Sequence, residues 1–172
     1  MKKLIIALAI VLGAGFASNV MAQGTATASG SSSAKIFTNI GITAVNPLAF
    51  GTFTKPTAVN GTVTIATDDT RTASLTAGLY LVTTNGNSIG AASFDITGDG
   101  NSTYSITVPP TTSSISNGTT TLSIGTFLSD PSGTGTLTTG AQTIHVGATL
   151  TVTPAATVGN YTGTFPVTVA YN

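Results

Sequence analysis

A strict alternation of apolar and polar residues constrains this chain more than any other feature of its sequence. It is clearest over residues 142–153, where every second side chain is apolar: Ile144, Val146, Ala148, Leu150 and Val152. A period of two places such residues on one face of a β-strand. Shorter alternating segments are separated by Asn-Gly, Asp-Pro and Pro-Pro turn signals. Together they predict an all-β chain folded as an immunoglobulin-like antiparallel β-sandwich.

The composition supports this fold class and narrows the functions that fit it. Cysteine and glutamate are absent, and only 6% of the 172 residues are charged. Threonine suits a pleated surface, and its hydroxyl keeps an outer face soluble. A low charge density means weak repulsion between copies, which a subunit that assembles tolerates. The chain has no basic patch for phosphate groups, so we expect no nucleic-acid partner.

The N-terminus predicts an exported protein. Residues 1–22 have the pattern of a signal peptide, with Lys2 and Lys3 before an apolar run and small or β-branched residues at Val20 and Ala22. Residues 23–33 have the composition of a flexible extension. Residues 34–172 are expected to form a single β-sandwich domain in the periplasm, on the cell surface or outside the cell, with no membrane span after cleavage.

Ten predicted strands fill this domain. The first, Ala34–Thr43, has Ile36, Ile40 and Ile42 on one face. In chain order the predicted strands cover residues 34–43, 48–53, 62–67, 73–84, 91–97, 103–108, 119–128, 134–137, 142–153 and 161–172.

The C-terminal segment combines the same alternation with an open question of pairing. Phe165, Val167, Val169 and Tyr171 share one face of the predicted last strand. No later segment of the sequence continues the sheet beyond it. An open side offers unpaired N–H and C=O groups beside an apolar face, and such an edge must be covered, closed or paired with another chain.

No group of residues predicts catalysis or metal binding. His145 is the only histidine, and a zinc site or a nucleophilic triad needs partners that the sequence does not place beside it. Asp95, Asp99 and Asn101 lie close together, but the calcium-loop ligand pattern and its final glutamate are absent. We therefore expect no enzyme, no cofactor and no metal.

The whole mature chain resembles a family of secreted bacterial β-proteins called domain of unknown function 4402. The stretches that carry the resemblance are residues 48–53 (Leu-Ala-Phe-Gly-Thr-Phe), 132–137, 146–152 and 159–165. The family label implies no activity.

The last strand is also similar to that of chaperone–usher pilus subunits, which commonly carry a penultimate tyrosine and a glycine near the start of the C-terminal strand region. Tyr171 and Gly159 are similarly placed. The resemblance implies a sandwich lacking one strand, whose groove is filled first by a periplasmic chaperone and then, at an outer-membrane usher, by the N-terminal extension of the next subunit. It implies that Phe165, Val167, Val169 and Tyr171 line that groove. The disulfide common in those subunits is impossible here.

The donor strand in such an assembly remains open at the level of sequence. Residues 23–33 lack bulky alternating side chains, so Ala34–Ile42, with Ile36, Ile40 and Ile42, is the better candidate. The same residues suit a first strand that completes the sandwich within one molecule, and periodicity does not separate the two outcomes. We expect a pilus-like or fimbria-like structural subunit whose partners are other copies or related subunits. The alternative is a self-contained secreted sandwich that binds a ligand such as carbohydrate, with Tyr80, Tyr104 and Tyr161 as candidate contacts.

Overall fold

The structure is a computed structural model that describes residues 24–83 and 87–172, without the side chain of Thr76. Ile36–Asn172 form one compact unit, and the chain before Ile36 is a separate unit. In that separate unit the described residues 24–35 carry no strand and are exposed. The predicted signal peptide, residues 1–22, lies outside the described residues.

Short strands make up nearly all regular structure in this part of the chain. One 3₁₀ turn, Leu75–Ala77, is the exception, and no α-helix occurs among the described residues. The prediction of an all-β chain is therefore confirmed. In chain order the strands are β1 (Gly41–Asn46), β2 (Ala49–Phe50), β3 (Thr52–Phe53), β4 (Gly61–Ile65), β5 (Arg71–Ala73), β6 (Leu81–Val82), β7 (Ile89–Gly90), β8 (Ala92–Thr97), β9 (Thr103–Thr107), β10 (Ser113–Ser116), β11 (Thr121–Asp130), β12 (Thr134–Thr136), β13 (Ala141–Val152) and β14 (Thr168–Tyr171).

Strand β13 is the centre of the largest sheet, in which all pairings are antiparallel. The sheet has the order β1-β8-β13-β11-β10, with β4 paired to β13 and β5 paired to β4. One edge of β13 pairs with β8 and then β4, and the other edge pairs with β11. The five alternating apolar side chains of β13 are at most 2% exposed. The face predicted from the alternation is thus the buried face.

A second sheet, β12-β9-β14, packs against the first through buried side chains. Ile96 and Ile144 from the large sheet meet Tyr104 and Ile106 from β9. The buried Tyr104 hydroxyl donates to Gln142 Oε1 over 2.8 Å, which satisfies it. Sheets packed in this way are what a sandwich requires, and the immunoglobulin-like strand order remains a prediction.

The predicted strand 73–84 is wrong over most of its length. Its residues 75–77 form the 3₁₀ turn, which ends at Gly78 with φ of 73°. This left-handed conformation interrupts a strand, so Ala73 joins the ladder of β5 with β4, and Leu81–Val82 join a separate ladder with β3. Leu75 is 60% exposed, whereas Leu79 is fully buried. Thr84 lies outside the described residues.

The first strand begins later than predicted, at Gly41 instead of Ala34. Gly41 pairs with Thr97, the last residue of β8. The chain turns after Thr97, so the residues before Gly41 have no partner strand there. Strand β10 was not predicted at all, because its sequence Ser-Ser-Ile-Ser contains a single apolar residue and therefore no periodic signal.

Candidate strand-acceptor groove

The C-terminal residues 164–172 alternate between exposed and partly buried, as their period of two predicts. The partly buried residues are Phe165, Val167, Val169 and Tyr171. Phe165 packs against the core of the large sheet, Val169 and Tyr171 against the cluster at the second sheet, and Val167 against both. The ladder itself is shorter than the alternation, because β14 begins only at Thr168.

Strand β14 lies at the edge of its sheet. It pairs with β9, and no other described strand pairs with it. The N–H of Asn172 donates to the carbonyl of Thr103 on β9 over 3.3 Å. In an antiparallel ladder, residues that bond to the neighbour alternate with residues that do not. The N–H and C=O groups of Val169 and Tyr171 therefore face the open edge.

The segment before β14, residues 163–167, has no ladder on either side. No backbone hydrogen bond joins these residues to another described residue, although Thr162 exchanges two such bonds with Ser116, at 2.9 and 3.0 Å. Gly163 lies so close to β10 that a Cβ there would collide with the carbonyl of Ser114. Residues 163–167 are thus close to the core, while their backbone makes no backbone hydrogen bond to any other residue that the structure describes.

An apolar groove of about 910 Å³ lies beside this segment. We call it the acceptor groove. Its C-terminal wall is residues 159–165 and its N-terminal wall is residues 44–53. The side chains between the walls come from the large sheet, and they are Ala92, Phe94, Ile115, Leu122, Ile124 and Leu150. A smaller recess of about 230 Å³ shares residues of both walls and includes Lys55.

Aromatic packing fixes the C-terminal wall. The ring of Phe165 meets Phe94 edge-on at a centroid distance of 6.3 Å and lies tilted against Phe127 at 5.0 Å. Such pairs add about 0.5–1.5 kcal/mol each beyond the apolar area that they bury. Phe165 thus anchors residues 163–167 although their backbone is unpaired.

The N-terminal wall consists of the end of β1 and two very short strands. Strand β2 pairs with β7 and strand β3 with β6, over two residues each. Val45, at an irregularity of the β1 ladder, lines the groove and is 52% exposed. This wall therefore presents uncovered apolar surface opposite the unpaired segment.

The three candidate donor isoleucines have different environments. Ile36 is 92% exposed. Ile40 packs against the cluster at the second sheet, and Ile42 pairs within the molecule with Ile96 of β8. The structure therefore places Gly41–Asn46 in a strand of its own molecule, whereas residues 34–40 belong to no strand.

Tyr171 connects the end of β14 to the residues that precede β1. Its hydroxyl donates to the carbonyl of Thr38 over 2.7 Å and accepts from the N–H of Asp99 over 2.6 Å. Its ring meets Phe37 edge-on at 5.4 Å. Phe37 and Thr38 thus lie beside the end of β14. Gly159, the glycine that together with Tyr171 carries the resemblance to pilus subunits, lines the groove. Its φ of 150° favours glycine.

Titratable groups do not converge in the described part of the chain, where no group of three His, Cys, Asp or Glu residues could hold a metal ion. Asp95 accepts a hydrogen bond from Thr143, and Asp99 one from Ser102. The N–H of Thr70 donates to Asp68 and lowers the pKa of this carboxyl. Burial raises the pKa of Tyr104.

Tyr104 was one of three tyrosines suggested from the sequence as carbohydrate contacts. Because its side chain is fully buried, it cannot contact a carbohydrate.

Of the five C-terminal residues predicted at the interface, Gly159 and Phe165 line the groove and Val167, Val169 and Tyr171 do not, while the N-terminal wall was not predicted. Phe50 and Phe53 line the groove from either side of Gly51, and Tyr161 lines it from the opposite wall. A signal was present, since a chain with large apolar residues flanking a glycine has to turn there to bury both. In the structure Gly51 has φ of 71°, which provides this turn.

No helix among the described residues has the length and apolar character needed to cross a membrane.

Comparison with known proteins places the chain in a family. Neither a curated protein nor a solved structure matches the chain. A family described as "Domain of unknown function (DUF4402)" matches residues 40–171, a range that includes all the strands given above. The chain therefore belongs to the DUF4402 family.

Proposed function

We propose that this protein is an exported structural subunit of a surface fibre, and that the fibre assembles by β-strand exchange between copies. The observation that carries the proposal is the acceptor groove beside residues 163–167. An apolar cleft and a row of unpaired backbone groups occur side by side, which is the combination that an added strand requires.

An added strand would satisfy both features at once. Its backbone would bond to the outward-facing groups of Val169 and Tyr171 and to residues 163–167. Its alternate side chains would cover the apolar residues between the two walls. Main-chain bonds supply affinity in this mode of recognition, and the alternate side chains supply specificity.

The donor that we propose is the segment before β1 of a neighbouring copy, residues 24–40. These residues form no strand in their own molecule, and Ile36 leaves 92% of its surface uncovered. Donation of residues 37–40 would first have to break the contacts of Phe37, Thr38 and Ile40 within their own molecule. A donor that extends to Ile42 would also have to release Gly41 and Ile42 from β8. Strand β1 is the edge strand of its sheet, so its release disturbs one ladder only.

The remaining parts of the proposal follow from this assembly. Export brings the subunit to the periplasm or the cell surface, where a periplasmic chaperone could cover the groove before assembly and an outer-membrane usher could order the exchange. The proposal assigns no catalytic residue, cofactor or metal.

The experiment compares the secreted chain with a variant lacking residues 24–40. The full chain should form ladders on a gel that resist heating, whereas the truncated variant should remain monomeric and bind a synthetic peptide of residues 34–43. A full-length protein that stays monomeric at high concentration, together with a truncated variant that ignores the peptide, would rule out strand exchange.

A second candidate function is binding of a small ligand, carbohydrate included, in the same groove. The volume of about 910 Å³ lies within the range of small-molecule sites, and Tyr161 offers an aromatic ring there. Its hydroxyl already donates to the carbonyl of Thr157 over 2.7 Å, so the ring is held in place. Shifts of the Tyr161 resonances on glycan titration, with no polymer formed by the full chain, would favour this function.

A further inference from the structure

We propose that Arg71 is the positioning residue that sets the width of the acceptor groove. It holds the N-terminal wall against the large sheet and does not itself line the groove. This inference rests on the proposed function for its consequence, strand binding, but its structural part stands on the contacts of Arg71 alone.

The guanidinium of Arg71 binds three carbonyl groups from three different strands. Its Nη1 donates to Phe50 on β2 over 3.1 Å and to Thr52 on β3 over 3.2 Å. Its Nη2 donates to Val82 on β6 over 3.0 Å. The backbone of Arg71 pairs with Ile65 of β4 and so belongs to the large sheet. The side chain of Arg71 thus joins β2 and β3 of the N-terminal wall, β6, which pairs with β3, and the large sheet.

Apart from the hydrogen bonds of Arg71, short ladders connect β2 and β3 of the N-terminal wall to other described strands. Strands β2 and β3 pair over two residues each, and their partners β7 and β6 are equally short. Between β2 and β3 the chain turns at Gly51, against which the guanidinium lies so closely that a Cβ there would collide with it. The turn that directs Phe50 and Phe53 into the groove is therefore shaped around Arg71.

The chemistry of these contacts suits arginine and no other cation. All hydrogen-bond partners of the Arg71 side chain in the described residues are carbonyl oxygens. Hydrogen bonds from a charged donor are the strong ones. Guanidinium presents its donors as a fixed planar fork, whereas lysine is a compact point charge on a flexible stem. Lysine at this position keeps the charge and loses the geometry.

The test uses R71K and R71Q in the full secreted chain, with I144V as the control. Ile144 is fully buried in β13, on the face that packs against the second sheet, so I144V weakens the domain without touching the wall. Hydrogen exchange should become about tenfold faster or more for residues 49–53 in both Arg71 variants, since at least one charge-assisted bond is lost. Exchange in β13 should change no more than it does in I144V. Self-association of the full chain should weaken by a similar factor.

The outcomes separate this inference from the proposed function. Unchanged exchange at residues 49–53, or equal acceleration there and in β13, would overturn the role of Arg71. Faster exchange at the wall with unaltered self-association would overturn the link to groove width. A wild-type chain that stays monomeric, combined with faster wall exchange in both variants, would leave Arg71 as the wall's anchor and remove the strand-exchange function.

Discussion

Substitution of Val45 by aspartate tests the acceptor groove directly. Val45 lines the N-terminal wall with 52% of its surface exposed. Full burial of a valine side chain is worth about 1.5–3 kcal/mol, so covering the exposed half by a donor strand contributes ~1 kcal/mol to assembly. An unpaired carboxylate enclosed in an apolar groove costs at least ~2 kcal/mol more. The two terms together weaken donor binding by about 100-fold.

The control is V59D, because Val59 is 60% exposed and does not line the groove. Both substitutions replace an exposed valine by the same charge, so both should change the free energy of unfolding by no more than ~1 kcal/mol. Sedimentation velocity and heated gels should show polymers for V59D and monomers for V45D. If V45D assembles as well as V59D, the groove is not the site of strand addition, and the reasoning from its apolar walls is wrong.

Three further predictions concern the elements that support the groove. The substitution Y104F removes the hydroxyl that donates a hydrogen bond to Gln142. It should lower the free energy of unfolding, measured by urea titration, by ~1 kcal/mol. An unchanged free energy of unfolding would mean that the bond is absent in solution. Burial raises the pKa of Tyr104 above its ordinary 10.0, so its protonated form stabilises the fold fully below pH 10 and this contribution is lost as the pH rises through the raised pKa. Unfolding curves between pH 9 and 12 should show this loss in the wild type and its absence in Y104F. Finally, G163A should lower the free energy of unfolding by about 1–3 kcal/mol, because its Cβ collides with the Ser114 carbonyl. The control G100A, whose Cβ would have its nearest neighbour at 3.6 Å, should leave this free energy nearly unchanged. Equal melting temperatures of the two variants would contradict the close approach of Gly163 to Ser114.

The part of the fold that sequence reasoning recovered is the part with uninterrupted periodicity. The alternation in β13 appears in the structure as predicted, and its apolar side chains are nearly inaccessible to solvent. The period fails at β11, where Leu122 and Ile124 are followed by a buried Phe127. Thr126, with φ of 51°, shifts the phase there, and a β-bulge of this kind leaves no clear composition signal.

Little of the candidate site could be predicted from the sequence. The period of two identified the partly buried face of residues 165–171, of which only Phe165 lines the groove. The N-terminal wall depends on pairings of two residues with β6 and β7 and on the side chain of Arg71. These are contacts between segments distant in sequence, and no local pattern encodes them. The same limit applies to Ile42, whose partner in its own molecule only the ladder with β8 reveals.

The central position of β13 has a consequence for the timing of folding. This strand is the shared partner of β4, β8 and β11, and its contact with β4 joins Thr64 to Thr149, residues 85 apart in sequence. Closing loops of this length costs entropy before any ladder repays it, which slows all-β chains. When the chain is synthesised from its N-terminus, β4, β8 and β11 are therefore made before their common partner β13, which ends at Val152. We therefore expect the large sheet to form late in folding, with the apolar faces of β4, β8 and β11 uncovered until then.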